Sequence, residues 1–172
     1  LIVGGTTSGK TTFINAIVDS IAKLCPYHRL LIIEQVPEIK CNAENYLNFL
    51  TDEVADVDLT KLVRHALRVC PDRIILGEVR GPESLHLLNI WNSGHPGGVC
   101  TLHATTAEGG LSKLEFVISM NDNPPDHPQI MIAEAVDMIV FIEKLGEGGR
   151  RVKSIIDVVD WDGQKYITEK KG

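Results

Sequence analysis

The feature that most constrains the fold is a glycine-rich stretch close to the start of the chain. Residues 4–11 read GGTTSGKT and fit the pattern G-x-x-x-x-G-K-[ST], and the apolar residues Leu1, Ile2 and Val3 precede them. In this pattern the glycines let successive backbone N–H groups turn inward around a phosphate chain without Cβ clashes. The pattern requires a strand before it and a helix after it, and both flanks have suitable sequences. The stretch therefore predicts a phosphate-binding loop.

The side chains of this loop predict how a nucleotide would be held. Lys10, interpreted as a solvent-facing residue, would reach the β and γ phosphates, and the Thr11 hydroxyl would ligate Mg²⁺. The helix that follows would present its positive end to the anion. ATP and Mg²⁺ are therefore the expected cofactors. The residues expected to bind them are Gly5, Thr6, Thr7, Ser8, Gly9, Lys10, Thr11 and Thr12.

Composition limits the remaining possibilities. The chain has 172 residues, 44% of them hydrophobic and 23% charged, which is typical of one compact domain. A formal net charge of −6 gives no sign of a nucleic-acid partner, so we expect no direct sequence-specific nucleic-acid binding. The four cysteines lie far apart and include no C-x-x-C pair, which favours reduced thiols in a cytoplasmic protein.

Segments typical of strands alternate with segments typical of helices. The predicted strands are 29–34, 73–78, 98–103, 137–143, 152–159 and 165–168. The predicted helices are one after the loop, 59–68 with Asp58 as its N-cap, one from 81 to 94 with Pro82 at its first position, 108–120 and 128–135. Residues 35–57 are interpreted as a polar connection, and the last two strands as a hairpin. The alternation predicts an α/β domain with a mostly parallel sheet and helices on both faces.

Three polar residues fall at the ends of predicted strands: Glu34, Glu78 and His103. Each of them alone is more often a structural residue than a functional one. Together, however, they are expected at the same sheet edge as the phosphate loop, where α/β proteins bind their ligands. An enzyme that hydrolyses nucleotides needs an acid there to orient water, an acid to help hold hydrated Mg²⁺, and a donor that responds to the γ-phosphate. We therefore expect Thr11, Glu34 and Glu78 to contribute to a metal site.

Several stretches carry a family resemblance. Besides residues 4–11, they are IIEQVPEI at 32–39, LRVCPDRI at 67–74, GEVRGPE at 77–83 and TLHA at 101–104. With these stretches the chain resembles the nucleotide-binding domain of the type II/type IV secretion ATPases, most closely their conjugal-transfer branch. The resemblance implies a RecA-like P-loop NTPase domain in a ring-shaped homo-hexamer. It also implies ATP hydrolysis at subunit interfaces that powers conjugative DNA transfer or secretion, together with machinery proteins, from the cytoplasmic face of the inner membrane.

The resemblance also assigns roles to residues. It places the Walker B glutamate at Glu78, the acidic box at Glu34, and the histidine box at Thr101 and His103. Gly77 stands where most P-loop proteins have an Asp, although this family ordinarily has Gly there. Metal contacts must therefore come from elsewhere, most simply from Thr11 with waters held by Glu34 and Glu78.

Two positions depart from the family pattern. Gln35 replaces an acid that usually follows the first glutamate of the acidic box, and Cys70 replaces a frequent Arg. A second carboxylate in the acidic box and one basic contact near the nucleotide or the next subunit are therefore in doubt.

Three arginines have two possible roles. Arg64 and Arg68 are four residues apart in a predicted helix and would share one face, as a solvated stripe or as partners of acids. In a ring, such side chains can instead reach the phosphate bound by a neighbour. We expect a catalytic role of this kind for Arg68 and Arg80, and the role of Arg64 stays open.

The chain has no initiating Met and opens inside a predicted central strand. We therefore expect residues 1–172 to be one ATPase domain of a longer protein, with an N-terminal domain upstream that covers the adenine and ribose. The domain by itself should fold but hydrolyse ATP poorly. Two other functions remain open: a P-loop kinase for a small molecule, and a nucleotide-gated scaffold with little turnover.

Overall fold

The computed structural model describes residues 1–146 and 148–171, and within them eight strands form one sheet. The strands are β1 (Ile2–Gly4), β2 (Leu30–Glu34), β3 (Tyr46–Leu50), β4 (Arg73–Leu76), β5 (Val99–Leu102), β6 (Met138–Lys144), β7 (Arg150–Trp161) and β8 (Tyr166–Lys171). The helices are α1 (Lys10–Leu24), α2 (Leu59–His65), α3 (Glu83–Asn92), α4 (Ala107–Ile118) and α5 (Pro128–Ala135), with a 3₁₀ turn at Ala66–Val69.

The strand order is β3-β2-β4-β5-β1-β6-β7-β8. Neighbouring strands from β3 to β6 are parallel, and β6, β7 and β8 pair antiparallel. In the register of the central strands, Val3 lies between Leu102 and Phe141. The phosphate loop therefore leaves β1 at the same edge at which β2, β4 and β5 end. The predicted mostly parallel sheet and C-terminal hairpin are confirmed.

Helices cover both faces of the sheet, as predicted, but unequally. On one face Ile14 and Val18 of α1 are fully buried in a cluster with Ile32 and Ile75. The other face carries α2, α3, α4 and α5 over the larger cluster of buried side chains. Because β2 is covered on both sides, all five of its residues are buried, and each large apolar side chain so buried contributes about 1.5–3 kcal/mol. No helix within the described residues is both long and apolar enough to cross a membrane.

The structure corrects three details of the predicted elements. The polar connection contains a strand, β3, which pairs with β2 at the edge of the sheet and has mostly exposed side chains. The predicted helix 59–68 ends as an α-helix at His65 and continues as the 3₁₀ turn, so Arg64 and Arg68 are not one turn apart on a single α-helix. Pro82 is the N-cap of α3 rather than its first residue.

Candidate active site

The phosphate loop connects β1 to α1 and has a tightly specified backbone. A side chain at Gly4 would place its Cβ 2.5 Å from the carbonyl oxygen of Ile142, so only glycine fits there. Gly9, directly before α1, has a φ of +96°, in the left-handed region that favours glycine. Thr7 also has a positive φ, 59°. Buried Ser8 closes a turn by donating its backbone N–H to Gly5.

Lys10 lies inside this loop rather than facing the solvent, which corrects the sequence-based interpretation. Its side chain is 8% exposed, and Nζ donates to the carbonyl oxygens of Gly4 and Gly5 at 3.1 Å each. Burial lowers the pKa of Lys10 below its usual value of 10.5, while Glu78 opposes this shift and Arg80 adds to it. The ammonium group of Lys10 loses water when it is buried, and these two backbone carbonyl groups of the loop take the place of that water.

A continuous chain of polar contacts runs from Lys10 across the site. Nζ of Lys10 lies 3.3 Å from Nδ1 of His103, and Nε2 of His103 lies 2.6 Å from Oε1 of Glu78. Nε of Arg80 donates to the other carboxylate oxygen of Glu78 at 2.6 Å, and its Nη1 donates to Gln35 at 3.3 Å. Because an ammonium group can only donate, Nδ1 is the acceptor in the contact with Lys10. The contact between Nε2 and Oε1 of Glu78 is close but not aligned as a hydrogen bond, since Oε1 has no hydrogen-bond partner among the described residues.

Glu34 has a structural role that the sequence did not reveal. It is 3% exposed, and Oε1 accepts hydrogen bonds from the backbone N–H groups of Glu38 and Ile39 at 3.0 and 2.9 Å. Oε2 has a weaker contact, 3.4 Å from the side-chain amide of Asn48. A Cβ at Gly77 would lie 3.2 Å from Cγ of Glu34. Glycine at position 77 therefore makes room for Glu34, whose predicted catalytic and metal-binding roles stay predictions.

Glu38 is a site residue that the sequence reasoning missed. Its Oε2 accepts a hydrogen bond of 3.1 Å from the Thr11 hydroxyl, the group expected to ligate Mg²⁺. The only signal was its place in the acidic stretch at 32–39, four residues after Glu34. The oxygen donors of Thr11, Glu38 and Glu78 suit a hard cation. Among the residues that the structure describes, no cluster of three or more acidic, histidine or cysteine side chains would hold a metal alone, so Mg²⁺ would also need phosphate oxygens and water.

These residues line one cavity of about 280 Å³ at the carboxyl edge of the sheet. The predicted site residues that it brings together are Thr6, Thr7, Lys10, Thr11, Glu34, Glu78, Arg80 and His103. Ser8, Gly9 and Thr12 line an adjoining hollow with the basic side chain of Arg150. Thr101 also lines the cavity, but its hydroxyl donates to the carbonyl oxygen of Gly77 at 2.7 Å and its side chain is buried, so its role here is structural.

The arginines separate into two groups. Arg80 lies at the cavity of its own chain, where its guanidinium pairs with Glu78. Arg68 is exposed on the 3₁₀ turn and does not line this cavity, so its role across a subunit interface stays a prediction. Arg64 donates to Nε2 of His86 at 3.0 Å, a contact on the surface of the same chain.

Known proteins are similar to this chain in sequence and in fold. The conjugal transfer protein TrbB of Rhizobium radiobacter is 44% identical over 98% of this chain and 51% of its own length. The type IV secretion system protein PtlH of Bordetella pertussis is 34% identical over 95% of this chain and 50% of its own length. The crystal structure of the VirB11 ATPase from the Brucella suis type IV secretion system, in complex with sulphate, superposes with a TM-score of 0.81. It is 29% identical and covers 90% of this chain and 46% of the VirB11 chain.

The chain thus spans about half the length of the relatives that it matches. The family match extends over almost all of the chain, because the family model described as type II/IV secretion system protein matches residues 1–170. That match includes the phosphate loop and the acidic and histidine residues at the sheet edge. The chain therefore belongs to the type II/IV secretion system protein family.

Proposed function

We propose that this chain forms the ATP-hydrolysing domain of a secretion ATPase that powers conjugative DNA transfer or type IV secretion. The observation that carries the proposal is the contact chain in which His103 joins Lys10, in the phosphate loop, to Glu78. Such a chain couples a phosphate-binding cation to an acid able to orient water. The relatives support the choice of process, since TrbB is a conjugal transfer protein and VirB11 is an ATPase of a type IV secretion system.

Each of these residues has its own role in ATP hydrolysis. The loop amides and Lys10 bind the phosphates. Thr11, which donates to Glu38 in this structure, would help to hold Mg²⁺, and the ion would neutralise phosphate charge. The phosphates give Lys10 a charged acceptor in place of its present neutral partners, and they offer Arg80 more negative charge than the single carboxylate of Glu78. The movement of Lys10 and Arg80 frees His103 and one oxygen of Glu78. Glu78 then orients a water molecule and accepts one of its protons, the water oxygen forms a bond to the γ-phosphorus as the bond to the β–γ bridging oxygen breaks, and ADP and phosphate leave.

The assembly is also part of this proposal. The active form is a homo-hexameric ring, in which neighbouring subunits complete the ATP sites and open and close during turnover. It works at the cytoplasmic face of the inner membrane as a peripheral protein, with the proteins of the secretion or conjugation machinery as partners. The resemblance to secretion ATPases and the membership of TrbB, PtlH and VirB11 in such systems support this arrangement.

Phosphate release by the full-length protein tests the function. We expect Mg²⁺-dependent release of phosphate from ATP with no acceptor molecule added. Thr11→Ala should raise the Mg²⁺ concentration needed for half-maximal activity, whereas Thr11→Ser, which keeps the hydroxyl, should stay close to the parent protein. Turnover that requires an added small-molecule acceptor would indicate a kinase. Tight ATP binding with no turnover in assembled rings would indicate a nucleotide-gated scaffold.

A further inference from the structure

Two basic side chains from the antiparallel end of the sheet reach the phosphate loop. Nε of Arg150, the first residue of β7, donates to the carbonyl oxygen of Thr7 at 3.0 Å. Nζ of Lys144, the last residue of β6, lies 3.4 Å from the Thr7 hydroxyl oxygen. One residue of the loop is therefore held at both its backbone and its side chain by residues that are distant in the sequence.

The conformation of Thr7 explains why such contacts matter. Its φ of 59° lies in the left-handed region, which a β-branched residue adopts only when its surroundings hold it there. The hydrogen bond from Arg150 ends on the carbonyl group of this same residue. It therefore fixes the peptide between Thr7 and Ser8, the segment of the loop whose amides are expected to face the phosphates.

The side chain of Arg150 also fits the loop closely. A Cβ at Gly9 would lie 2.8 Å from Cδ of Arg150 and 3.5 Å from its Nε. The arginine stem thus crosses directly over Gly9, the residue before Lys10. A further hydrogen bond of 3.3 Å from Nη1 to the carbonyl oxygen of Gly148 orients the guanidinium group.

The charged side chains of β6 and β7 are distributed unevenly between the two faces of the sheet. Lys144 and Arg150 are direct partners in the register of β6 and β7, and like charges opposite each other on one face are destabilising. On the other face, Glu143 pairs with Arg151 at 3.0 Å and with Lys153 at 2.6 Å. The two opposed cations therefore lie on the face that meets the phosphate loop. An anion bound in that loop would reduce their repulsion.

We propose that Lys144 and Arg150 form a clamp on Thr7, called here the Thr7 clamp, which holds the loop ready for a nucleotide and adds positive charge to the site. The inference rests on the proposed binding of ATP and identifies two more residues that serve it. Both are positioning residues, because they act on the phosphates through Thr7 and do not touch the reacting atoms. Losing the clamp raises Kd and KM for ATP and leaves kcat at saturating ATP close to that of the parent protein.

Calorimetric titration of the full-length protein with ATP tests the clamp. Arg150→Ala is expected to weaken ATP binding by roughly threefold to tenfold, the effect of losing one typical hydrogen bond. Arg151→Ala is the matched control, because it removes the same charge from the next residue, whose partner Glu143 keeps Lys153. Its affinity should stay within about twofold of the parent value, a change too small for one lost hydrogen bond. In steady-state kinetics, Arg150→Ala should raise KM for ATP and leave kcat close to the parent value.

A second substitution separates positioning from a general effect on the sheet. Glycine adopts a positive φ without strain, so Thr7→Gly added to Arg150→Ala should recover part of the lost affinity. A variant that had merely weakened β7 would gain nothing from this change. If Arg150→Ala does not fold, Lys144→Ala takes its place, because Lys144 is exposed at a strand end and its removal should still weaken ATP binding by about threefold or more.

Three results would overturn the clamp while leaving the proposed function in place. They are parent-like ATP affinity of the Arg150 variant, equal losses for the Arg150 and Arg151 variants, and no recovery on adding Thr7→Gly. A parent protein that binds no ATP would contradict the proposed function itself, so the two failures are distinguished by the first titration.

Discussion

Nε2 of His103 lies 2.6 Å from Oε1 of Glu78, and this contact joins the two halves of the site. The other nitrogen of the same ring lies 3.3 Å from Nζ of Lys10. The imidazole of His103 therefore contacts both Lys10, which would bind phosphate, and Glu78, which would act on water. A movement of Lys10 toward a phosphate breaks its contact with the ring and changes what holds Glu78 in place.

Glu78→Gln is expected to keep ATP binding and to lower kcat by about 10²–10⁴-fold. The amide can still accept a hydrogen bond from Arg80, so the side chain should stay in position, but it cannot act as a carboxylate toward water. Phosphate release and ATP titration of the full-length protein measure the two effects separately. Glu53→Gln, at an exposed position outside the cavity, is the control for charge loss. Turnover at the parent rate would make Glu78 structural and Glu34 the next candidate for the base.

Lys10→Ala is expected to abolish ATP binding without unfolding the protein, because backbone hydrogen bonds from Ser8 to Gly5 and from Phe13 to Gly9 also hold the loop around it. Since the stem of Lys10 is buried, Lys10→Met serves as the comparison that keeps the packing and removes the ammonium group. Both variants should lose ATP affinity, which titration measures, and both should keep a cooperative thermal unfolding transition. Parent-like affinity in either variant would contradict the role of Lys10.

The lowered pKa of Lys10 predicts a pH dependence of ATP affinity. The ammonium form binds the phosphates, and bound phosphate raises the pKa of the lysine again because negative charge favours the charged form. Affinity of the parent protein should therefore be constant below the lowered pKa and should fall as the pH rises through it, at a pH below the usual 10.5. Titrations from neutral to alkaline pH measure this fall. Lys10→Met has no group to deprotonate there, and an equal fall in that variant would assign the effect to another residue.

Gly77→Ala is expected to lower turnover, because a Cβ there would lie 3.2 Å from Cγ of Glu34 and 3.6 Å from its Oε1. Glu34 would have to move, and its two hydrogen bonds to the backbone of Glu38 and Ile39 would lengthen. Loss of a buried hydrogen bond costs about 1–3 kcal/mol, so the melting temperature should fall as well. Gly146→Ala, where an added Cβ meets nothing within 4 Å, is the control. Parent-like stability and turnover of Gly77→Ala would show that the site tolerates a side chain there.

The sequence predicted the parts of the site that depend on local pattern. The loop, its flanking strand and helix, and the end positions of Glu34, Glu78 and His103 all follow from apolar runs and glycine spacing. Asp58 was predicted as a helix cap, and its carboxylate accepts from the backbone N–H of Lys61 at 2.7 Å. Such features are local because they depend on a few consecutive residues.

Contacts that depend on the path of an irregular loop or on the pairing of distant segments could not be predicted in the same way. Nothing in the residue types indicates that one oxygen of Glu34 accepts two backbone N–H groups, or that Glu38 meets Thr11, because both depend on the path of residues 35–39. The clamp on Thr7 needs the register of β6 and β7. The strand β3 was missed because an edge strand with mostly exposed side chains lacks the buried apolar run that marks a central strand.

Arg68 is expected to act at the ATP site of a neighbouring subunit. In full-length rings, Arg68→Ala is expected to lower turnover by about 10³-fold or more while ATP binding is kept, as for an arginine that stabilises the transition state in trans. Lys10→Ala subunits cannot bind ATP but keep Arg68. When the two inactive variants are mixed, a Lys10→Ala subunit can supply Arg68 to the ATP site of its neighbour, so phosphate release should recover.

Arg80 gives this mixing experiment its comparison. Its guanidinium pairs with Glu78 of the same chain, so we expect Arg80 to act on its own subunit's site, and mixtures of Arg80→Ala with Lys10→Ala should stay inactive. Exchange of differently tagged subunits establishes that mixed rings form in both cases. If mixed rings form and the Arg68 mixture stays inactive, Arg68 does not act across the interface. If only the Arg80 mixture recovers, the arginine that acts in trans is Arg80, and its pairing with Glu78 must break when subunits meet.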